Sequence, residues 1–178
     1  MKRTITLAIA ILLTAGTLCA QHEHHDGDRR PHHPQHHQHA PQPQSPSGDT
    51  FEQAVQKAFP AMKSTQADGK WTAVRNADGK LIGYAVQSKP ASDGIKGYAG
   101  ETPVMIAFDA KKKITGVYLL ANQETPRFAQ RVAEAGYYDS WNGLTVKKAL
   151  KKKVDTVSGA TFTSRAVAQS VQAVLATL

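Results

Sequence analysis

The spacing of apolar positions changes repeatedly along this chain. Near the start they run almost unbroken from Ile5 to Leu13, behind the cations Lys2 and Arg3, and from Gln21 to about Gly48 they all but vanish. They return at helical spacing, with Phe51, Val55, Ala58, Phe59 and Met62 on one face. Asp49 or Thr50 can cap that helix, and Pro60 predicts an irregular end. After Asp68-Gly69 the period becomes alternating. Trp71 to Asn76, a turn at Asp78-Gly79 and Lys80 to Gln87 predict a β-hairpin. Pro103 to Asp109 and Ile114 to Ala121 predict a second, in which Val104, Ile106 and Phe108 alternate as in a half-buried strand. Gly116 marks a bulge or a close backbone approach. Phe128 to Ala135 reads as an amphipathic helix, closed by Tyr137, Tyr138 and Trp141 before a turn at Asn142-Gly143. Val167, Val171, Val174, Leu175 and Leu178 predict a C-terminal helix. The expected class is α+β, an antiparallel sheet built from two β-hairpins with packed helices.

The first two stretches divide the chain. Residues 1–20 have the layout of a secretory signal peptide, with a cationic start, an apolar run and small residues down to Ala20. Export to a periplasmic or extracellular location is expected, with cleavage after Ala20. Leu18 stands beside Cys19 where a lipid-attachment motif has a small residue, so a lipoprotein is not expected. Losing Cys19 with the leader leaves no cysteine, which excludes disulfides and thiol chemistry. Residues 21–48 hold all eight histidines together with Gln, Pro, Asp and Arg, and read as a disordered linker. Its imidazoles can take up divalent metal adventitiously, without fixed geometry. Residues 49–178 form the expected domain, long enough at about 130 residues to bury an ordinary core. No membrane anchor is expected after the leader, which favours a stand-alone protein.

Charge narrows the function. The formal net charge is +8, much of it from Lys111-Lys112-Lys113, Lys147-Lys148 and Lys151-Lys152-Lys153. No aromatic or arginine-rich pattern accompanies these lysines, so nucleic acid is not an expected partner. A solvated lysine face is the simpler reading, and it would also suit an acidic redox partner. With every histidine in the linker, Ser-His-Asp, Cys-His and histidine-zinc hydrolases lack a base or ligand of fixed geometry. No pair of carboxylates has a distinguishing context either. No catalytic residue and no fixed metal site is predicted.

Chemistry concentrates near the C-terminus, in Asp155-Thr156-Val157-Ser158-Gly159-Ala160-Thr161-Phe162-Thr163-Ser164. A turn of small residues ahead of a helix offers unpaired N–H groups and a favourable dipole to an anion. Plain N-capping by Thr163 or Ser164 is the competing reading. The order Asp155-x-x-Ser158-Gly159-Ala160-Thr161 resembles the attachment motif of the FMN-binding domain family. That family includes the flavin-carrying subunits of the sodium-translocating NADH:quinone reductase and of the Rnf complex. The resemblance implies FMN as cofactor, joined through its phosphate to the hydroxyl of Thr161. Ser158, Gly159 and Ala160 then form the tight turn, and Thr163 can bond a phosphate oxygen. It also implies a flavin transferase as partner, which reads Asp155, takes FMN from FAD and releases AMP.

Two further stretches match in family order. Gly97-Tyr98-Ala99-Gly100 resembles a Gly-Tyr-x-Gly segment ahead of the central strands. Glu124-Thr125-Pro126 resembles a Glu-Thr-Pro-Gly stretch bordering the isoalloxazine ring, which sets Glu124 and Thr125 beside the flavin. Arg127 departs from the family's glycine. It either alters the contact with the ring or brings a cation near it, favouring the reduced anionic flavin and raising its potential. The resemblance spans Trp71 to Leu178 and implies an exported electron carrier with an unidentified donor and acceptor. Peripheral association with a membrane redox complex fits it as well. The alternatives are a flavin-dependent reductase of a small extracytoplasmic substrate, or a His-rich metal-binding module with weak flavin binding.

Overall fold

The computed structural model describes residues 47–178. The predicted leader, Cys19 and the His-rich stretch lie outside the described residues. Helix α1 (Phe51–Ala58) opens on a reciprocal cap, in which the Thr50 hydroxyl accepts from the N–H of Gln53 and the Gln53 side chain accepts from the N–H of Thr50. Five strands follow: β1 (Ser64–Asp68), β2 (Trp71–Arg75), β3 (Leu81–Gln87), β4 (Val104–Asp109) and β5 (Ile114–Leu119). They form one antiparallel meander in the order of the chain. Helices α2 (Pro126–Glu134), α3 (Val146–Lys151) and α4 (Thr161–Leu175) complete the order, with a 3-10 turn at Tyr137–Trp141 after α2.

The two predicted hairpins are present, but the sheet has a fifth strand that periodicity did not reveal. All five residues of β1 are exposed, so this edge strand buries no side chain that could carry a pattern. It is held by pairing to β2, from Ser64 opposite Arg75 to Asp68 opposite Trp71. Helix α3 was also not foreseen, because only Ala149 of its six residues is buried.

Strand β4 was expected to be half-buried, and it is buried on both faces. Val104, Ile106 and Phe108 pack with Val132, Trp141, Val167, Val171 and Val174 of the C-terminal helices. Met105 and Ala107 point the other way, into a second cluster with Ala54, Val55 and Phe59 of the α1 region. Helix α1 thus covers the face that alternation alone would leave to solvent. The pairing of β4 with β5 slips between Ala107 and Phe108, placing Gly116 at a bulge. A Cβ on Gly116 would also meet the Tyr118 ring at 2.9 Å, so the predicted bulge is present and the close neighbour is a side chain, not another backbone.

The connections out of the sheet build the functional end. The β4–β5 bend carries Lys112 at φ 58°, its ammonium 4.2 Å from the centre of the Trp71 ring. Beyond β5, buried Asn122 donates to the carbonyls of Ser47 and Leu120 and accepts from the N–H of Glu124. That side chain turns the chain from the sheet into α2.

Candidate functional site

Helix α4 begins without a side-chain cap. Its N-cap is Ala160, and no side chain accepts from its first turn. The Ser164 hydroxyl is used elsewhere: it accepts from the N–H of Val157 and donates to the carbonyl of Ala160, closing the turn from behind. The Thr163 hydroxyl is fully buried with no hydrogen-bond partner among the described residues. Capping by Thr163 or Ser164 is therefore not realised. The N–H groups of Thr161, Phe162 and Thr163 have no acceptor among the described residues. Gly159 sits at φ +73°, a conformation that favours glycine.

A cleft of about 270 Å³ opens beside this turn, lined by Tyr98, Phe128, Gly159, Ala160, Thr161, Phe162 and Thr163. Its walls are aromatic. Tyr98 and Phe128 meet edge to face with ring centres 4.9 Å apart. Tyr98 is 64% exposed and Phe162 62%, although both are large and apolar. Side chains that stay exposed around one cleft mark a surface made to be covered.

The Tyr98 wall is fixed by Glu124, which is 1% exposed. Its carboxylate accepts from the N–H of Tyr98 at 2.8 Å, of Ala99 at 2.8 Å and of Thr125 at 3.1 Å. Gly97 makes this possible, because a Cβ there would land inside the Glu124 carboxylate. The loop is closed further by Gly97 N–H to Gly100 carbonyl at 2.8 Å. Glu101 clasps its base, accepting from Lys89 and from the N–H of Gly94.

The predicted site residues divide accordingly. Gly159, Ala160, Thr161 and Thr163 all line the cleft. Glu124 is not in the lining; its carboxylate lies in the loop behind Tyr98, close to Thr163, and shapes that wall. Thr125 is the N-cap of α2, half-buried and outside the lining, with Pro126 at the first helical position. Ser158 and Asp155 are exposed on the approach to the turn and do not line the cleft. Arg127 lies 5.1 Å from the centre of the Phe128 ring, on the aromatic wall.

Tyr98, Phe128 and Phe162 were not singled out as site residues from sequence. Phe162 did carry a signal, since it falls off the Val167–Val171–Val174 face of α4 and has no core to enter.

An aromatic cleft beside an uncapped helix start is the arrangement for a flat aromatic ligand that carries a phosphate. The buried, unpartnered Thr163 hydroxyl and the open N–H groups of Thr161 to Thr163 match the phosphate's acceptors. Tyr98, Phe128 and Phe162 match a ring system. FMN fits this donor set.

Comparison with known proteins agrees. Residues 97–176 match the model of the FMN-binding domain family. The chain is 29% identical over 108 residues to a subunit of the Na(+)-translocating ferredoxin:NAD(+) oxidoreductase complex of Acetobacterium woodii, covering 55% of this chain and 50% of that protein. It is 32% identical over 126 residues to a subunit of the ion-translocating oxidoreductase complex of Shewanella piezotolerans, covering 65% and 56%. The corresponding protein of Aliivibrio fischeri is 31% identical over 123 residues, covering 63% and 56%. The chain thus spans about half the length of these relatives.

Proposed function

We propose that this domain is an electron carrier whose FMN is joined through its phosphate to the Thr161 hydroxyl. The observation that carries this reading is the uncapped start of α4, with three open N–H groups at the aromatic cleft. A phosphodiester on Thr161 keeps one negative charge, and those N–H groups and the helix dipole stabilise it. Tyr98, Phe128 and Phe162 hold the ring and shield its faces from water. The bound flavin supplies the chemistry, taking up and giving up electrons.

A threonine hydroxyl is a poor nucleophile, and among the described residues no base is hydrogen-bonded to Thr161. A separate flavin transferase is therefore part of the proposal. The Thr161 oxygen takes the FMN phosphorus from FAD, the pyrophosphate bond breaks, AMP leaves and the hydroxyl proton goes to solvent or the transferase. The exposure of Asp155 and Ser158 suits residues read by another protein. The leader of residues 1–20 supports export, and a covalent bond keeps the cofactor from being lost outside the cytoplasm. Relatives that are subunits of ion-translocating complexes support peripheral docking on a membrane redox complex.

The carrier role is tested by photoreducing the loaded protein and mixing it with soluble one-electron acceptors. A carrier reoxidises with acceptors of suitable potential whatever their structure. Turnover confined to one small substrate, with saturation, would make the protein a reductase instead.

A further inference from the structure

Helix α2 delivers a cation to the turn before Thr161. Phe128 and Arg131 stand three residues apart and so share one side of the helix. Phe128 lines the cleft, and Arg131 reaches across to Gly159. A Cβ on Gly159 would land on the Arg131 Nη1, with Cζ 3.3 Å and Cδ 3.6 Å away. The guanidinium therefore occupies the space that the missing side chain leaves. Gly159 serves two needs at once, its left-handed backbone and a seat for this arginine.

Among the described residues, nothing neutralises that charge: the Arg131 side chain has no carboxylate partner, and no hydrogen bond from its guanidinium is formed. Its neighbour Gln130 is tied to Glu134, which turns that carboxylate along the helix. Thr161 follows Gly159 by two residues, so their Cα atoms are at most about 7.6 Å apart. A guanidinium seated on Gly159 is then within reach of a phosphate on the Thr161 oxygen. Its planar fork of donors suits two phosphate oxygens at once.

We propose that Arg131 is a phosphate-binding residue, holding the FMN phosphodiester from the side opposite the α4 N–H groups. This rests on the attachment at Thr161 proposed above. The phosphodiester is thereby bound between an arginine from α2 and the backbone of α4. Loading the flavin ties the two helices together, and the ring is fixed from its phosphate end as well as by its aromatic walls.

The test compares loaded and unloaded forms of wild type, Arg131→Gln and Arg131→Lys, each expressed with and without a flavin transferase. Intact mass gives the loaded fraction, thermal unfolding gives the gain in Tm on loading, and phosphorus NMR gives the phosphodiester resonance. The unloaded forms should melt together, because Arg131 is exposed and has no partner there. Loaded Arg131→Gln should lose most of the Tm gain and show a shifted phosphorus resonance, and Arg131→Lys should keep part of both. A loaded Arg131→Gln with the wild-type Tm gain and resonance would overturn the proposal while leaving attachment intact. So would an equal loss of Tm in loaded and unloaded forms, which marks a structural role. A wild type that takes up no FMN would instead overturn the attachment on which it rests.

Discussion

The Glu124 carboxylate receives the N–H of Tyr98 at 2.8 Å and so sets one wall of the flavin cleft from 26 residues away in sequence. The same carboxylate holds Ala99 and Thr125, joining the glycine loop to the start of α2. Glu124→Gln replaces one acceptor oxygen by an NH2 group that faces backbone donors. It should lower unfolding stability by about 2 kcal/mol, the range for hydrogen bonds to a charged group. Denaturant unfolding measures this. Gly97→Ala should also destabilise, since its Cβ displaces the carboxylate. A neutral Glu124→Gln would show that the loop is held by other means.

Phe162 is exposed on the cleft rim, and its removal should separate flavin effects from folding effects. Phe162→Ala should change the stability of the unloaded chain by less than about 0.5 kcal/mol, as for a surface position. The loaded variant should keep its flavin and show a shifted flavin absorbance band, because an aromatic neighbour that excludes water from the ring is gone. An absorbance spectrum equal to wild type would place the ring elsewhere.

Arg127 stands over Phe128, which brings its charge to the aromatic wall. A nearby cation favours the reduced anionic flavin. Arg127→Gln should therefore lower the midpoint potential by roughly 20 mV, given solvent screening at an exposed position. Spectroelectrochemistry on the loaded protein reads this directly. A raised or unchanged potential would mean that the cation does not sense the ring.

The clasp between Lys89 and Glu101 gives a pH prediction. The hydrogen bond from Lys89, and then that from the Gly94 N–H, hold the Glu101 carboxyl below its ordinary value of 4.5. The hydrogen bond to Glu101 raises Lys89 above its ordinary 10.5, against a smaller lowering by burial. A depressed carboxyl stabilises the fold above 4.5 and loses that contribution as pH falls through the folded value. A raised lysine contributes below 10.5 and loses it as pH rises through its folded value. The Gly94 amide resonance should titrate with a midpoint below 4.5. A midpoint at or above 4.5 would show that the clasp is not formed in solution.

Much of the fold was legible because burial on one face leaves a period in the sequence. The hairpins around Asp78-Gly79 and Lys111-Lys113 and the valine stripe of α4 were visible for that reason. Strand β1 has no buried face and α3 only one buried residue, so neither could be seen. The second buried face of β4 depends on α1 folding over it, which no local pattern encodes. In the site, the small residues Ser158 to Ala160 and Thr161 were readable as a string. The roles of Glu124, Phe162 and Arg131 were not. Each arises where two distant segments meet: the glycine loop with the start of α2, or α2 with α4. Glu124 illustrates the limit: the resemblance of Glu124-Thr125-Pro126 set it beside the flavin, but its hold on the Tyr98 loop shows only in the packing.

Attachment at Thr161 is tested most directly by the intact mass of the chain coexpressed with a flavin transferase. Wild type should gain the mass of one FMN less one water, and Thr161→Ala should gain nothing while Thr163→Ala remains modified. A wild type of unchanged mass under those conditions, or a Thr161→Ala variant that still takes up FMN, would contradict the attachment.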